Sequence, residues 1–234
     1  EPESLLSAAE LRVATEEARA ADAILCASSF TRKSLLHAGI DETKIHVVPY
    51  GIPTVGVHGI KRPEGRTRFL FVGQGRQRKG LHDLLAVWSD FAQQEPTAEL
   101  VLVVSSPDPA VMDVPKGVRV CSGLSPDELK GQYLSSDVLV LPSLVEGFGL
   151  VIGEALGHGC SVIATRNTGL PDYSALEEVT FLSEPGDRES LLSMLIKAAE
   201  LVRAEPRLRQ MIQEKAAEHS WDMFRAGVAS MVAT

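Results

Sequence analysis

Short apolar segments alternate with amphipathic helical segments along most of this 234-residue chain, and this alternation restricts the fold more than any other feature. Strands are predicted at 69–72, 100–104, 118–121, 138–141, 162–164 and 179–182. Helices are predicted at 81–91, 126–134, 150–156, 187–203 and 206–219. Strands that are apolar at every position are buried on both faces, as in a parallel sheet with helices on each side. The sequence therefore predicts an α/β fold whose ligands bind outside the carboxyl ends of the strands.

The first fifty residues precede this pattern. They predict a helix over 5–22, a short buried strand over 23–27, a second helix over 28–38 and a further strand from 45 to a Pro-Tyr-Gly turn. Residues 51–66 are rich in glycine, proline and basic side chains, which is typical of a linker. The α/β domain is then expected over 67–219, followed by a last helical segment over 220–234.

Composition excludes several classes of function. The net charge of −8 and the pI near 5.3 argue against general nucleic-acid binding. No run of about 18 apolar residues is present, so no transmembrane helix is expected. Cys26, Cys121 and Cys160 are far apart and show no metal-binding or redox spacing, which favours buried thiols in the cytoplasm over a disulfide framework. The chain begins with Glu1 and no signal-peptide pattern follows, which favours an excerpt or a processed chain.

One candidate site lies where the predicted strand 138–141 runs through a loop into the helix 150–156. Gly147 and Gly149 would let the backbone approach a ligand closely. The amides of Phe148, Gly149 and Leu150 would then be free donors at a helix N-terminus, an arrangement that suits a phosphate group. This loop is therefore a candidate anion site.

Two carboxylates flank that helix N-terminus. Glu154 is the one charge of an otherwise apolar helix, and a buried carboxylate needs a partner. Its side chain leans toward the helix N-terminus, where a ribose diol or a neighbouring loop could satisfy it. Glu146 could meet a sugar hydroxyl or a developing positive charge, or it could be a solvated turn residue. Physical reasoning alone leaves both alternatives open.

A second candidate site is the loop after the strand 69–72, where residues 73–80 read Gly-Gln-Gly-Arg-Gln-Arg-Lys-Gly. The glycine spacing does not meet the dinucleotide fingerprint, and the Gly-Lys-Ser/Thr ending of a P-loop is missing. Its three cations, Arg76, Arg78 and Lys79, stand out in an acidic chain. They would suit a diphosphate, although a solvated basic loop is the alternative.

Glu146 and Glu154 are separated by seven residues, with Gly-Phe-Gly-Leu between them, after a strand that ends in Leu-Pro-Ser. This pattern resembles the Glu-x7-Glu signature of retaining GT-B glycosyltransferases, also called glycosyltransferase group 1 or family 4. The resemblance implies a Rossmann-like parallel sheet, the C-terminal, nucleotide-sugar-binding half of such an enzyme. It implies that Glu154 holds the donor ribose, that Glu146 faces the donor sugar, and that the backbone of 147–150 contacts sugar and phosphate.

The basic loop resembles the same family in part. Lys79-Gly80 matches the family's Lys-Gly pair, which implies a diphosphate-binding, catalytic role for Lys79. Gly73 matches too, but Gln74 stands where the family often has arginine. Arg78, or its neighbour Arg76, would then have to supply the second cation.

Two further loops resemble family features less closely. Ser122-Gly123 follows a strand at the place where the family reads the nucleobase through backbone contacts. Residues 167–172 resemble the family's Gly-Gly-x-Pro-Glu loop, with Thr168 and Asp172 departing from it. Asp172 is expected to be either a loop cap or a ligand, and His158 to be a helix-end residue.

The resemblance also assigns the chain's ends. Residues 1–50 resemble the last stretch of the N-terminal, acceptor-side domain, as a helix–strand–helix remnant, and 220–234 resemble the helix that returns toward it. The acceptor (a lipid, sugar or small molecule) and any peripheral membrane contact, at the cytoplasmic face, would then belong to the missing half. Strand 23–27 would lack its native neighbours, which predicts self-association through its edge.

The leading hypothesis is the donor-binding half of an enzyme that transfers a sugar from a UDP-, GDP- or ADP-linked donor to an acceptor hydroxyl with retention of configuration. No metal and no other cofactor is expected, and the chain alone should bind donor but transfer nothing. The alternatives are a nucleotide-sugar-binding module without transferase activity and a GT-B sugar-nucleotide epimerase. A Rossmann dehydrogenase is disfavoured by the missing glycine fingerprint.

Overall fold

The computed structural model describes residues 7–53, 55, 65–107, 114–115 and 117–233. Most of the predicted linker 51–66 lies outside these residues, as does the start of the predicted helix 5–22. The strands are β1 Ile24–Cys26, β2 Ile45–Val47, β3 Arg68–Gly75, β4 Glu99–Pro107, β5 Val118–Cys121, β6 Val138–Leu141, β7 Ser161–Thr165 and β8 Thr180–Ser183. The helices are α1 Ala8–Ala20, α2 Ser29–His37, α3 Leu81–Gln94, α4 Pro126–Ser135, α5 Leu150–Gly157, α6 Arg188–Ala204, α7 Leu208–Ala216 and α8 Trp221–Val232.

Six strands form one parallel sheet in the order β5-β4-β3-β6-β7-β8. The chain proceeds outward from β3 to β5 and then returns to place β6 on the other side of β3. The strand order therefore reverses between β3 and β6, and such a switch point opens a crevice at the carboxyl ends of the strands. The predicted α/β class and parallel sheet are confirmed.

The sheet is buried on both faces because its strands are apolar at consecutive positions. Phe69 and Phe71 of β3 pack with α3 and α6 on one face, while Leu70 and Val72 pack with α5 and α7 on the other. Trp88 and Phe91 of α3 meet the Phe69 ring edge-on, with centroids 5.6 and 5.2 Å away. Burial of each such side chain contributes about 1.5–3 kcal/mol, so the two layers fix the sheet and the loops that follow its strands.

A smaller unit precedes the sheet. Strands β1 and β2 pair in parallel, and Cys26, Ile40 and Ile45 form a core of their own beneath α1 and α2. Among the described residues, β1 pairs with β2 alone and Leu25 is 38% exposed. Self-association through this strand stays a prediction.

The end of the chain returns to the segment that joins the two units. Tyr50 stacks on Trp221 of α8 at 5.9 Å, and the Ile52 N–H donates to the His219 carbonyl at 2.6 Å. A Cβ on Gly51 would lie 2.4 Å from the Trp221 backbone, so the two segments touch at this point. No side chain of α8 is buried.

Several boundaries differ from the predicted ones. The predicted helix 206–219 is shorter, at Leu208–Ala216, and the strand from 45 ends at Val47. Short 3-10 turns were not predicted, because segments of three to six residues are too short to show a periodic pattern. They lie at Glu42–Lys44, Gln77–Lys79, Leu170–Asp172 and Ser174–Val179. The capping box that Ser125 and Glu128 form at the start of α4 is as expected.

None of the three cysteines forms a disulfide, and Cys121 is half-buried where a buried thiol was expected. In the described ranges, none of the helices is long and apolar enough to cross a bilayer.

Candidate functional site

The loops after β3 and β6 pack against each other at the switch point. Gly80 adopts a left-handed conformation with φ of 68°, and a Cβ on it would lie 1.9 Å from the Pro142 carbonyl oxygen. The Leu144 N–H donates to the Arg78 carbonyl at 2.9 Å. A residue with a side chain at position 80 would push the loops apart, so glycine is what lets them meet.

That contact brings Lys79 and Glu146 together. The Lys79 Nζ donates to the Glu146 Oε2, and the two side chains are only 15% and 14% exposed. Arg78 adds its Nη1 at 3.5 Å from the same oxygen and at 3.0 Å from the Val145 carbonyl. Two residues predicted from separate motifs thus form one charged cluster, with the cations positioned beside a carboxylate.

Two adjoining cavities open on either side of this cluster. The first, of about 530 Å³, lies over the ends of β3 and β4 and is lined by Val72, Gly73, Gln74, Arg78, Lys79, Val103, Val104, Ser105, Gly123, Leu124, Leu129 and Val151. The second, of about 550 Å³, lies between the two units and is lined by Leu25, Cys26, Ala27, Thr31, Tyr50, Lys79, Glu146, Gly147, Phe148, Gly149, Leu150 and Val151. Lys79 and Val151 border both cavities, and each volume is in the range of small-molecule sites.

Most of the predicted site residues therefore share one place, with two exceptions. Ser122 is exposed and lines neither cavity, while its neighbour Gly123 lines the first. Glu154 also lines neither cavity; it is half-buried one turn behind Val151.

Glu154 has a protein partner that sequence reasoning missed. The Tyr133 hydroxyl donates to the Glu154 Oε2 at 2.6 Å, and the tyrosine is 2% exposed. Burial and the nearby carboxylate both raise the pKa of the Tyr133 phenol, so it remains a protonated donor. The partner expected for this carboxylate is thus present, in the helix before β6, although Glu154 is half-buried where burial was predicted. A single tyrosine in a largely exposed helix carries no motif by which it could have been found.

The start of α5 has the geometry of an anion site. Gly149 caps the helix in the left-handed region with φ of 87°. Within the described part of the chain, the N–H groups of Phe148, Gly149 and Leu150 meet no acceptor. Leu150 is 55% exposed, so the helix is less buried at its start than its apolar sequence predicted. Free amides at a helix N-terminus favour negative charge.

Hydroxyls of the small unit hold the loop that carries these amides. Ser28, the N-cap of α2, and Thr31, in its first turn, both donate to the Gly147 carbonyl, Thr31 at 3.0 Å. The Ser29 N–H donates to both carboxylate oxygens of Asp172, at 3.1 and 3.0 Å. Asp172 is therefore a cap, but for a helix of the other unit. Burial raises its pKa above the ordinary value.

Electrostatics at the site come from these side chains and the helix end. In the residues that the structure describes, no group of three His, Cys, Asp or Glu converges as metal ligands would. His158 ends α5, as predicted, and burial lowers its pKa, so it is neutral at pH 7.

A family model described as glycosyl transferases group 1 matches residues 66–202. The MMP alpha-(1->4)-mannosyltransferase of Mycolicibacterium hassiacum is 29% identical over 222 residues, which cover 89% of this chain and 53% of that protein. A D-inositol 3-phosphate glycosyltransferase of Corynebacterium jeikeium is 31% identical over 121 residues, or 45% of this chain and 29% of that protein. The chain spans about half the length of the first relative and less of the second.

Solved structures share the fold at low identity. Sucrose-phosphate synthase from Thermosynechococcus elongatus superposes with a TM-score of 0.76 at 22% identity, covering 96% of this chain and 61% of that one. Anabaena HepE in complex with UDP-glucose gives a TM-score of 0.76 at 17% identity, covering 98% of this chain and 69% of that one. The predicted GT-B-type architecture is confirmed by these likenesses.

Proposed function

Because the chain belongs to group 1 of the glycosyl transferases, we propose that it binds a nucleotide-diphosphate sugar for transfer to an acceptor hydroxyl with retention of configuration. The observation that carries this proposal is the Lys79–Glu146 contact at the junction of the two cavities, beside the free amides of α5. A cation and a helix N-terminus at one point match a diphosphate, and the carboxylate beside them matches the sugar that the diphosphate carries.

In this proposal the nucleoside occupies the first cavity, near the backbone of Gly123, and the sugar occupies the second cavity. Lys79 borders both, so it is positioned for the diphosphate between them. The anionic diphosphate competes with Glu146 for the Lys79 ammonium, and its arrival frees the carboxylate to face the sugar. Gln74 lies at the wall of the first cavity, where Arg78 supplies the additional positive charge.

The chemistry follows from where charge develops. As the bond between the anomeric carbon and the diphosphate oxygen breaks, negative charge grows on the leaving group and positive charge on the sugar ring. Lys79 and the α5 N-terminus would stabilise the negative charge on the leaving group, and Glu146 would stabilise the positive charge on the sugar ring. The acceptor oxygen then bonds to the anomeric carbon, and its proton passes to the departing diphosphate oxygen. Retention is inferred from the resemblance of Glu146 and Glu154 to the Glu-x7-Glu signature.

Calorimetric titration of this chain with UDP, GDP and ADP tests the donor site and identifies the base. The solved HepE complex contains UDP-glucose, so UDP is the first ligand to try. Lys79→Ala should weaken diphosphate binding about 10- to 100-fold, the range for one hydrogen bond to a charged group. The matching nucleoside should bind with unchanged affinity.

Lys130→Ala, which removes an exposed lysine of α4 outside both cavities, is the matched control and should change neither affinity. Equal losses for nucleotide and nucleoside in Lys79→Ala would refute the diphosphate role.

We further propose that residues 1–50 and 220–234 belong with an acceptor-side domain, so that the chain alone binds donor without transferring sugar. The acceptor, any membrane contact and a cytoplasmic location go with that whole protein. The alternative is a nucleotide-sugar-binding module without transferase activity, which the departure at Gln74 favours. Donor consumption by a protein that contains both domains separates the two. A sugar-nucleotide epimerase would instead interconvert the donor without any acceptor.

A further inference from the structure

Tyr133 is enclosed by contacts that fix its position. Its ring stacks on the His158 ring with centroids 5.2 Å apart and an angle of 18° between the planes. Its backbone carbonyl accepts from the Cys160 thiol at 3.1 Å, and its hydroxyl donates to Glu154 at 2.6 Å. The phenol hydrogen bond is therefore made by a side chain with little freedom to move.

The same contacts hold Glu154 from a second direction. The His158 Nδ1 lies 2.7 Å from the Glu154 carbonyl oxygen, and since a carbonyl can only accept, the ring donates there. His158 thus binds the backbone of Glu154 while its ring supports Tyr133. Tyr133, Glu154 and His158 thus contact one another in a closed set, in which the phenol binds the Glu154 carboxylate.

This set lies directly behind the first cavity. Leu129 and Tyr133 share a face of α4, and Val151 and Glu154 share a face of α5, because residues three or four apart are neighbours on a helix. Leu129 and Val151 line the cavity, so the Tyr133–Glu154 bond joins its two walls one turn farther along. Helical side chains lean toward the N-terminus, which directs the Glu154 carboxylate back toward the cavity.

We propose that Tyr133 is a positioning residue that determines ribose selectivity by orienting the Glu154 carboxylate. The inference rests on the proposed function, in which Glu154 meets the ribose hydroxyls of the donor. A carboxylate turns freely about its last bond unless one oxygen is held. The phenol holds Oε2 and leaves Oε1, for which the described residues provide no donor, for the ribose diol. Preorganisation of this kind increases affinity without adding a contact to the ligand.

The test compares a nucleoside diphosphate that the chain binds with its 2′,3′-dideoxy form. The dissociation constant of the dideoxy form, divided by that of the ribose form, measures ribose recognition. This ratio does not depend on the fraction of protein that is folded. Tyr133→Phe should reduce this ratio about three- to tenfold, the effect of one ordinary hydrogen bond, with unchanged affinity for the dideoxy form. Glu154→Ala should abolish the preference, and the double variant should behave like Glu154→Ala alone.

Tyr173→Phe is the matched control. Tyr173 is 1% exposed, and its hydroxyl donates to the Tyr50 carbonyl at 2.9 Å, so the variant loses a comparable buried hydrogen bond near α5. It should lower the melting temperature but leave the ratio unchanged.

The outcomes distinguish the two levels of the argument. If Glu154→Ala removes the ribose preference and Tyr133→Phe keeps it, or lowers both affinities equally, the positioning role is refuted and the donor site stands. If Glu154→Ala keeps the preference, the ribose role of Glu154 fails and the role of Tyr133 fails with it. If the ratio falls in Tyr133→Phe and not in Tyr173→Phe, the inference is supported.

Discussion

Replacing Gly80 with alanine tests the contact that brings the two site loops together. The new Cβ would lie 1.9 Å from the Pro142 carbonyl oxygen, and the alanine would have to adopt a φ of 68°. The left-handed conformation costs an L-residue about 1–2 kcal/mol. Alanine also lowers the conformational entropy of the unfolded chain, which stabilises the folded state by about 0.4–1 kcal/mol. Overpacking against the backbone adds about 1–3 kcal/mol. The net expected destabilisation is about 1–4.6 kcal/mol.

Two other glycines separate these contributions. Gly123 is also left-handed, with φ of 66°, but a Cβ there would meet nothing within 4 Å. Gly123→Ala should therefore cost only about 0–1.6 kcal/mol, because the overpacking contribution is missing. Gly131 lies inside α4 with open space around it, and Gly131→Ala should stabilise the chain by about 0.5–1 kcal/mol.

Chemical unfolding of the three variants, followed by circular dichroism, measures the free energies of unfolding on one scale. Gly80→Ala should also weaken nucleotide binding, because separating the loops moves Lys79 away from the free amides of α5, which in the proposal bind the same diphosphate. If Gly80→Ala costs no more than Gly123→Ala, the loops do not meet as closely as the structure has them. The account of how the cation reaches the carboxylate would then be wrong.

Three further predictions concern the small unit and its contacts. Burial raises the pKa of Asp172 above its ordinary 3.8, so the folded state holds the proton more tightly than the unfolded state. The folded state therefore loses stability as the pH rises from the unfolded-state pKa to the folded-state pKa of Asp172. Asp172→Asn should thus raise the melting temperature at neutral pH, and the gain should vanish on acidification; a constant gain at all pH values would contradict this. Ser28→Ala should cost about 1–2 kcal/mol, more than the loss of about 1 kcal/mol in Ser125→Ala, since Ser28 caps a helix and also binds the Gly147 carbonyl. Self-association through strand 23–27 should raise the mass in light scattering at high concentration, and a monomer throughout would refute it.

Much of the fold could be predicted because parallel strands leave a clear pattern. Residues 69–72 and 138–141 are apolar at every position, and the structure places both in one sheet, paired directly. Once the strands were assigned, topology made the loops at their carboxyl ends neighbours. That reasoning predicted two candidate loops, and the structure joins them through Lys79 and Glu146.

The rest depended on pairings that leave no local trace. A buried carboxylate at Glu154 demanded a partner, but nothing in the sequence identified Tyr133, 21 positions earlier. The Ser29–Asp172 contact joins residues 143 positions apart, and Ser28 reaches across 119 to Gly147. Each of these is one hydrogen bond in a loop or at a helix start, where no periodicity exists to show what lies opposite.

The contact from α2 to the loop after β6 has an evolutionary consequence. Ser28 and Thr31 bind the main-chain carbonyl of residue 147 and no side chain of that loop. A Cβ at position 147 would meet nothing within 4 Å, so substitutions there leave the docking of the two units intact. The docking of the two units therefore depends on the two α2 hydroxyls and not on a side chain at position 147. Proteins that keep this docking should therefore agree at the two hydroxyl positions, 28 and 31.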